Sequence, residues 1–334
     1  MYSKLLVLLI ILSSFVYARE PGEKPKKLTI EEKLMLKELE NNILNNLRYG
    51  KNGYAAADLA RMKNISETAQ EFLHASAAFA YVKHNDEEAM DYIYKGLKQN
   101  SKHESLIYLA GMIYARHNDW QKAMEFFEKA SSLTYNPFYQ INTTIAHIAL
   151  GNTELAISSA KRTLELKPNF DQARVLLVAL AMQTGNSGEA GKYCGELKQQ
   201  NSDRNDYFLN CGRFYFQTGQ YPKAAALLDK AKDLVLGDQI ALADSLLHTG
   251  DYNNAYPVYQ KIMVSTLRDQ ELLNNYVKCL VFLDRTIELN RILTKVYSNF
   301  PEMKDATEKA LTKTRLEYQA KSGLYYQIKT LNGN

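Results

Sequence analysis

Along the chain, segments in which apolar residues recur at helical period alternate with short polar turns. Six of these turns are followed by a small residue: Ala89, Ala123, Ala156, Ala190, Ala224 and Ala255. The steps between them are 34, 33, 34, 34 and 31 residues. A turn former precedes five of them by five residues, at Asn118, Gly151, Gly185, Gly219 and Gly250. Glycine or asparagine there lets one helix stop and the next begin, and alanine lets the two helices approach closely. The pattern predicts consecutive helix–turn–helix units. Gly (16) and Pro (7) are scarce, which favours helices over many short strands. Near the N-terminus, Thr29 stands three residues before Glu32, the spacing of a capping box, and the fold is expected to start there.

This repeat resembles the tetratricopeptide repeat, a helix pair of roughly 34 residues. The unit from Glu104 carries Gly111, Tyr114, Trp120, Ala123, Phe127 and Ala130. The unit from Asn205 carries Phe208, Gly212, Tyr215, Gly219, Tyr221, Ala224 and Ala231. Weaker units open at Gln70, Pro137, Asp171, Leu236 and Gln270. The unit from Pro137 departs from the pattern with Thr144 and His147, and the one from Gln270 has Leu289 in place of alanine. The step into the unit from Leu236 is short, which predicts a tightened connection before it.

The resemblance implies an all-α fold, a right-handed superhelical solenoid of about seven such repeats. A degenerate N-terminal hairpin (29–69), the solenoid (70–301) and a C-terminal capping helix and tail (302–334) are expected. Terminal units are atypical because one face meets water.

In that family ligands lie on the inner positions of the first helices. Carried onto this chain, those positions give Tyr108, Met112, Arg116 and Asn142, then Val175, Ala179 and Asn210. They continue with Arg213, Phe216 and Gln217, then Asn274 and Lys278. Asn142, Asn210 and Asn275 share one repeat position and form a candidate ladder toward a peptide backbone. The Lys/Asn/Arg set with which co-chaperone members clamp a terminal carboxylate is missing, so no such clamp is expected.

Ahead of the repeats, Met1–Lys4 carries one positive charge, Leu5–Leu12 is unbroken and apolar, and Val16-Tyr17-Ala18 supplies small residues. This is the layout of a secretory signal peptide cleaved after Ala18 (1–18). Residues 19–28 read as a short disordered leader. The mature chain is therefore expected in an exported space, the periplasm first and the outside second.

With Lys+Arg at 41 and Asp+Glu at 37, the net charge of +4 is too mild to argue for nucleic acid. The six histidines show no metal-ligand spacing, and no phosphate loop, dinucleotide motif or nucleophile elbow is present. No catalytic residue, metal or cofactor is expected. His84 and His117 are read as repeat-equivalent turn residues, and His147 as an interior histidine. Cys194 and Cys211 fall at core-facing positions of adjacent units and form either a disulfide or two buried thiols. Asn64-Ile65-Ser66 and Asn142-Thr143-Thr144 match the glycosylation acceptor.

The leading functional expectation is an exported scaffold that binds a cell-envelope protein or peptide through its concave groove. The alternative is a structural subunit of an envelope machine such as a secretion, pilus or flagellar assembly.

Overall fold

The computed structural model describes the backbone of residues 27–263 and 268–331, with side chains through 322 apart from those of 263–267. The expected signal peptide, and the leader as far as residue 26, lie outside the described residues. Thr29 Oγ1 accepts from the Glu32 N–H at 3.1 Å, and Glu32 Oε2 accepts from the Thr29 N–H at 2.9 Å, completing the capping box.

Among the described residues there are seventeen α-helices and no strand. They run α1 (Ile30–Arg48), α2 (Asn52–Ile65), α3 (Gln70–Val82), α4 (Asp86–Gln99), α5 (Glu104–Arg116), α6 (Trp120–Leu133) and α7 (Pro137–Ala149). They continue α8 (Thr153–Leu166), α9 (Asp171–Gln183), α10 (Ser187–Gln199), α11 (Asn205–Gln217) and α12 (Tyr221–Leu228). The last are α13 (Leu236–Thr249), α14 (Tyr252–Met263), α15 (Gln270–Phe282), α16 (Thr286–Asn299) and, after a short 3-10 turn, α17 (Lys304–Leu331). The seven first helices thus start on the seven residues that open the sequence repeats, Pro137 included. The chain forms two compact units, Met1–Leu150 with α1–α7 and Gly151–Asn334 with α8–α17.

The turns explain the register. His84, Asn118, Gly151, Gly185, Gly219, Gly250 and Asp284 all take positive φ, between 54° and 81°, as the chain leaves a first helix. His84 is therefore the counterpart of Asn118, and His117, the C-cap of α5, sits one position earlier. Ala89, Ala123, Ala156, Ala190, Ala224 and Ala255 are all fully buried at the fourth position of a second helix, and Leu289 takes the same place in α16. On the facing helix glycine does the complementary work. A Cβ on Gly111 would stand 2.6 Å from Phe127 Cε1, and one on Gly212 2.7 Å from Leu228.

Two departures from the expected pattern have local causes. The short step before Leu236 is not a tightened connection. Instead α12 is cut to 8 residues, and the turns and bends after it are tied down by Asn205, whose side chain accepts from the Lys232 N–H (2.6 Å) and donates to the Lys232 carbonyl (3.2 Å). Those bonds satisfy backbone groups that a longer helix would have paired. In α7, the buried Thr143 and Thr144 hydroxyls donate back to the Tyr139 and Gln140 carbonyls, which lets polar residues occupy an interior helix. His147 is buried, with Nε2 3.7 Å from Glu128.

Cys194 on α10 and Cys211 on α11 are joined by a disulfide with a Cα–Cα distance of 5.7 Å. Cys279 is a buried free thiol, pushed up to about 12 by burial.

Candidate functional site

The inner positions of neighbouring first helices are tied to one another, in most cases at separations close to one repeat. In the first unit, His74 Nδ1 on α3 lies 2.6 Å from Glu40 Oε1 on α1. Arg116 on α5 stacks its guanidinium 3.7 Å from the centre of the Tyr81 ring on α3. The same guanidinium donates to the Tyr81 carbonyl at 3.0 Å and to Asp86 at 2.6 Å. Asn142 on α7 donates to the Tyr108 hydroxyl on α5 at 2.6 Å, and the Tyr108 ring stacks on Tyr139 with centroids 4.5 Å apart. Burial pushes the Tyr108 phenol up to about 12, so it stays protonated at neutral pH.

The second unit repeats the device with other chemistry. Arg213 on α11 grips Asp238 on α13 with two bonds, of 2.6 and 2.8 Å. Asn275 on α15 donates to Asp244 on α13 at 3.0 Å, and Tyr259 on α14 donates to the same oxygen at 2.5 Å. Lys278 on α15 pairs with Glu317 on α17 at 2.9 Å. Gln270 donates to both Asn274 and Thr307 at 3.0 Å.

These contacts change the reading of the expected ligand-facing residues. Arg116, Asn142, Arg213, Asn274 and Lys278 hold side chains of their own chain. Asn210 donates to the Asp206 carbonyl one turn back, so the three-asparagine ladder uses its amide nitrogens internally. Val175 is only 3% exposed and belongs to the core around Cys194 and Cys211, so it cannot face a ligand; packing between helices has claimed it. Ala179 is half-buried, and Phe216 is half-buried against Leu228, Ala241 and Leu242. Tyr108 and Met112 are half-buried, and Gln217 is exposed. Sequence reasoning missed the partners Glu40, His74, Tyr81, Asp238 and Glu317. Complementary side chains 34 or 35 residues apart signalled the pairs of the first unit, whereas Asp238, 25 residues from Arg213, carried no such signal. Half-buried Asn142 is engaged as a donor, whereas Asn64, the other acceptor-motif asparagine, is exposed.

Asp244 is the most unusual group. Burial pushes its carboxyl above the usual range, against the hydrogen bonds from Tyr259 and Asn275 that pull it down. His248, whose Nδ1 is 2.7 Å from the Asp244 carbonyl oxygen, and Glu271 are its other ionisable neighbours. A carboxyl whose folded pKa is raised favours the fold below its unfolded value, and that contribution is lost as pH rises through the folded pKa. Asp244→Asn keeps an acceptor for both donors. It is expected to be more stable than wild type at pH 7, with the advantage shrinking toward acid pH. Denaturant midpoints measured across pH check this, and parallel profiles would contradict it.

No group of three or more His, Cys, Asp or Glu among the described residues could hold a metal ion, and no described helix is long and apolar enough to cross a membrane. No family model matches the sequence, and no curated protein matches it. Solved structures do. The chain is similar to PilF of Pseudomonas aeruginosa at 15% identity, over 59% of this chain and 90% of that one, with a TM-score of 0.53. It is also similar to a tetratricopeptide repeat protein of Parabacteroides merdae (14% identity, 73% and 98% covered, TM-score 0.49). A third likeness is YrrB, described as having an unusual peptide-binding site (21%, 58% and 97%, TM-score 0.45). The fold assignment rests on the first of these together with the repeat register and the helix pairs: the chain has the all-α tetratricopeptide-repeat fold.

Proposed function

We propose that this protein is an exported scaffold that holds a partner protein or peptide against the inner faces of its first helices. The observation that carries the reading is the set of cross-links along those faces. They fix neighbouring first helices relative to one another within each unit, yet leave residues such as Gln217 and Ile148 exposed beside them. A pre-set surface of this kind binds without a large ordering cost. Export is supported by the signal-like N-terminus and by the Cys194–Cys211 bond, because disulfides persist in oxidising compartments.

A photo-crosslinking residue at Gln217, with a control at Ile287 on α16 (81% exposed), tests the reading in the native host. A discrete adduct from Gln217 alone is expected. Adducts from position 287 alone would instead mark a structural subunit fixed through its second helices. The mature chain is expected to begin at Arg19; a purified protein that retains residues 1–18 would remove the export part of the reading.

A further inference from the structure

Helix α7, with the sequence PFYQINTTIAHIA, contains no Asp, Glu, Lys or Arg. A helix facing water normally carries charge on its outer side. Yet α7 leaves Phe138 50% and Ile148 37% exposed, with Ile145 half-buried between them. These three fall along one stripe of the helix, at spacings of seven and three. Ile148 holds the repeat position in α7 that Phe216 holds in α11. On the neighbouring α5, the inner positions add half-buried Met112 and one charged residue, Arg116. That guanidinium already has Asp86 at 2.6 Å and the Tyr81 ring beneath it.

From these observations we infer that the inner face of α5 and α7 takes an uncharged, apolar stretch of a partner chain and makes no use of a free terminus or a charged side chain. The inference rests on the binding reading above and narrows it to one class of ligand. Charge complementarity decides the class. A carboxylate entering this face would have to share with Asp86 an Arg116 whose charge is already compensated, and an ammonium would meet no carboxylate on α7. The ammonium would lose hydration without gaining a partner, and the carboxylate would gain only an arginine already neutralised by Asp86. An apolar side chain would instead cover Ile145 and Ile148, and the depletion of charge together with aromatic and methionine side chains is the composition of an interface core.

The test uses the mature full-length chain. Two libraries of random linear peptides are panned on it, one tethered through its C-termini and one with free C-termini. Enriched peptides are resynthesised as acid and amide and titrated against wild type, Ile148→Lys and Ile287→Lys, with helicity recorded for each variant. Apolar, uncharged sequences are expected from both libraries. Amidation, or a salt increase from about 50 mM to about 500 mM, should change affinity less than about twofold. Ile148→Lys should weaken binding at least about tenfold, and Ile287→Lys should not. Enrichment of acidic or basic peptides, a requirement for the free carboxylate, or binding indifferent to Ile148→Lys would overturn the inference. If the Gln217 crosslink captures a partner while no peptide responds to Ile148→Lys, the scaffold reading stands and this inference falls. If neither experiment captures anything, both fall.

Discussion

Ala224→Arg is expected to cost at least about 4 kcal/mol and to unfold the second unit at temperatures where the wild type is intact. Ala224 is fully buried on α12, at the position where all the well-matched repeats place alanine. Its partner helix α11 carries Gly212, already so close that an added Cβ would stand 2.7 Å from Leu228. No volume is left for a long side chain, and the buried carboxylates of the adjoining α13, Asp238 and Asp244, already have partners, so overpacking and desolvation act together. Because stability in such arrays is largely a sum of neighbouring interfaces, the loss should be concentrated in the second unit. Denaturant unfolding with probes in each unit checks this. Wild-type behaviour of the variant would show that α12 does not pack in this register.

Removing the disulfide is expected to have the next largest effect. Cys194 and Cys211 lie 17 residues apart and join the second helix of one pair to the first helix of the next. Closing a loop of that size in the unfolded chain corresponds to about 3 kcal/mol. Both cysteines are buried, at 1% and 0% exposure, so a double alanine variant is a cleaner probe than added reductant. Its denaturation midpoint should fall by that amount while its helicity at low temperature is retained. A second readout is independent of stability. Alkylating the denatured, unreduced protein should label one of the three cysteines, Cys279. Three labels, or an unchanged midpoint, would show that the bond does not form in the protein as isolated.

The inner faces carry a more general point about reading repeats. A repeat register names the positions that face a ligand in the family, but the same positions also face the neighbouring repeat. In this chain the neighbour has taken most of the polar ones. Arg213 meets Asp238 across 25 residues, whereas Asn142 meets Tyr108 across 34. The separation changes mainly because Arg213 sits late in α11 and Asp238 in the first turn of α13, whereas Tyr108 and Asn142 hold nearly equivalent positions, so no fixed spacing would have found both pairs. On α7 what remains exposed is apolar, and that is why the proposed ligand is too.

The sequence by itself determined the helix pairs, their starting residues from Gln70 to Gln270, and the places where each pair turns. These features are local: a residue tolerating positive φ, a cap and a small residue act within a few positions of one another, so the chain carries the whole cause. The capping box at Thr29 was legible for the same reason. The tertiary structure decided which side chains are left for a partner. Val175 went into the core, Phe216 half into it, and Arg116, Asn142 and Lys278 to neighbouring helices. Whether a side chain on a helix face meets water or protein depends on what an element tens of residues away brings opposite it. Cys194 and Cys211 show the same division: the sequence left both a bond and two buried thiols open, and the packing of α10 on α11 set their Cα atoms 5.7 Å apart, within bonding reach.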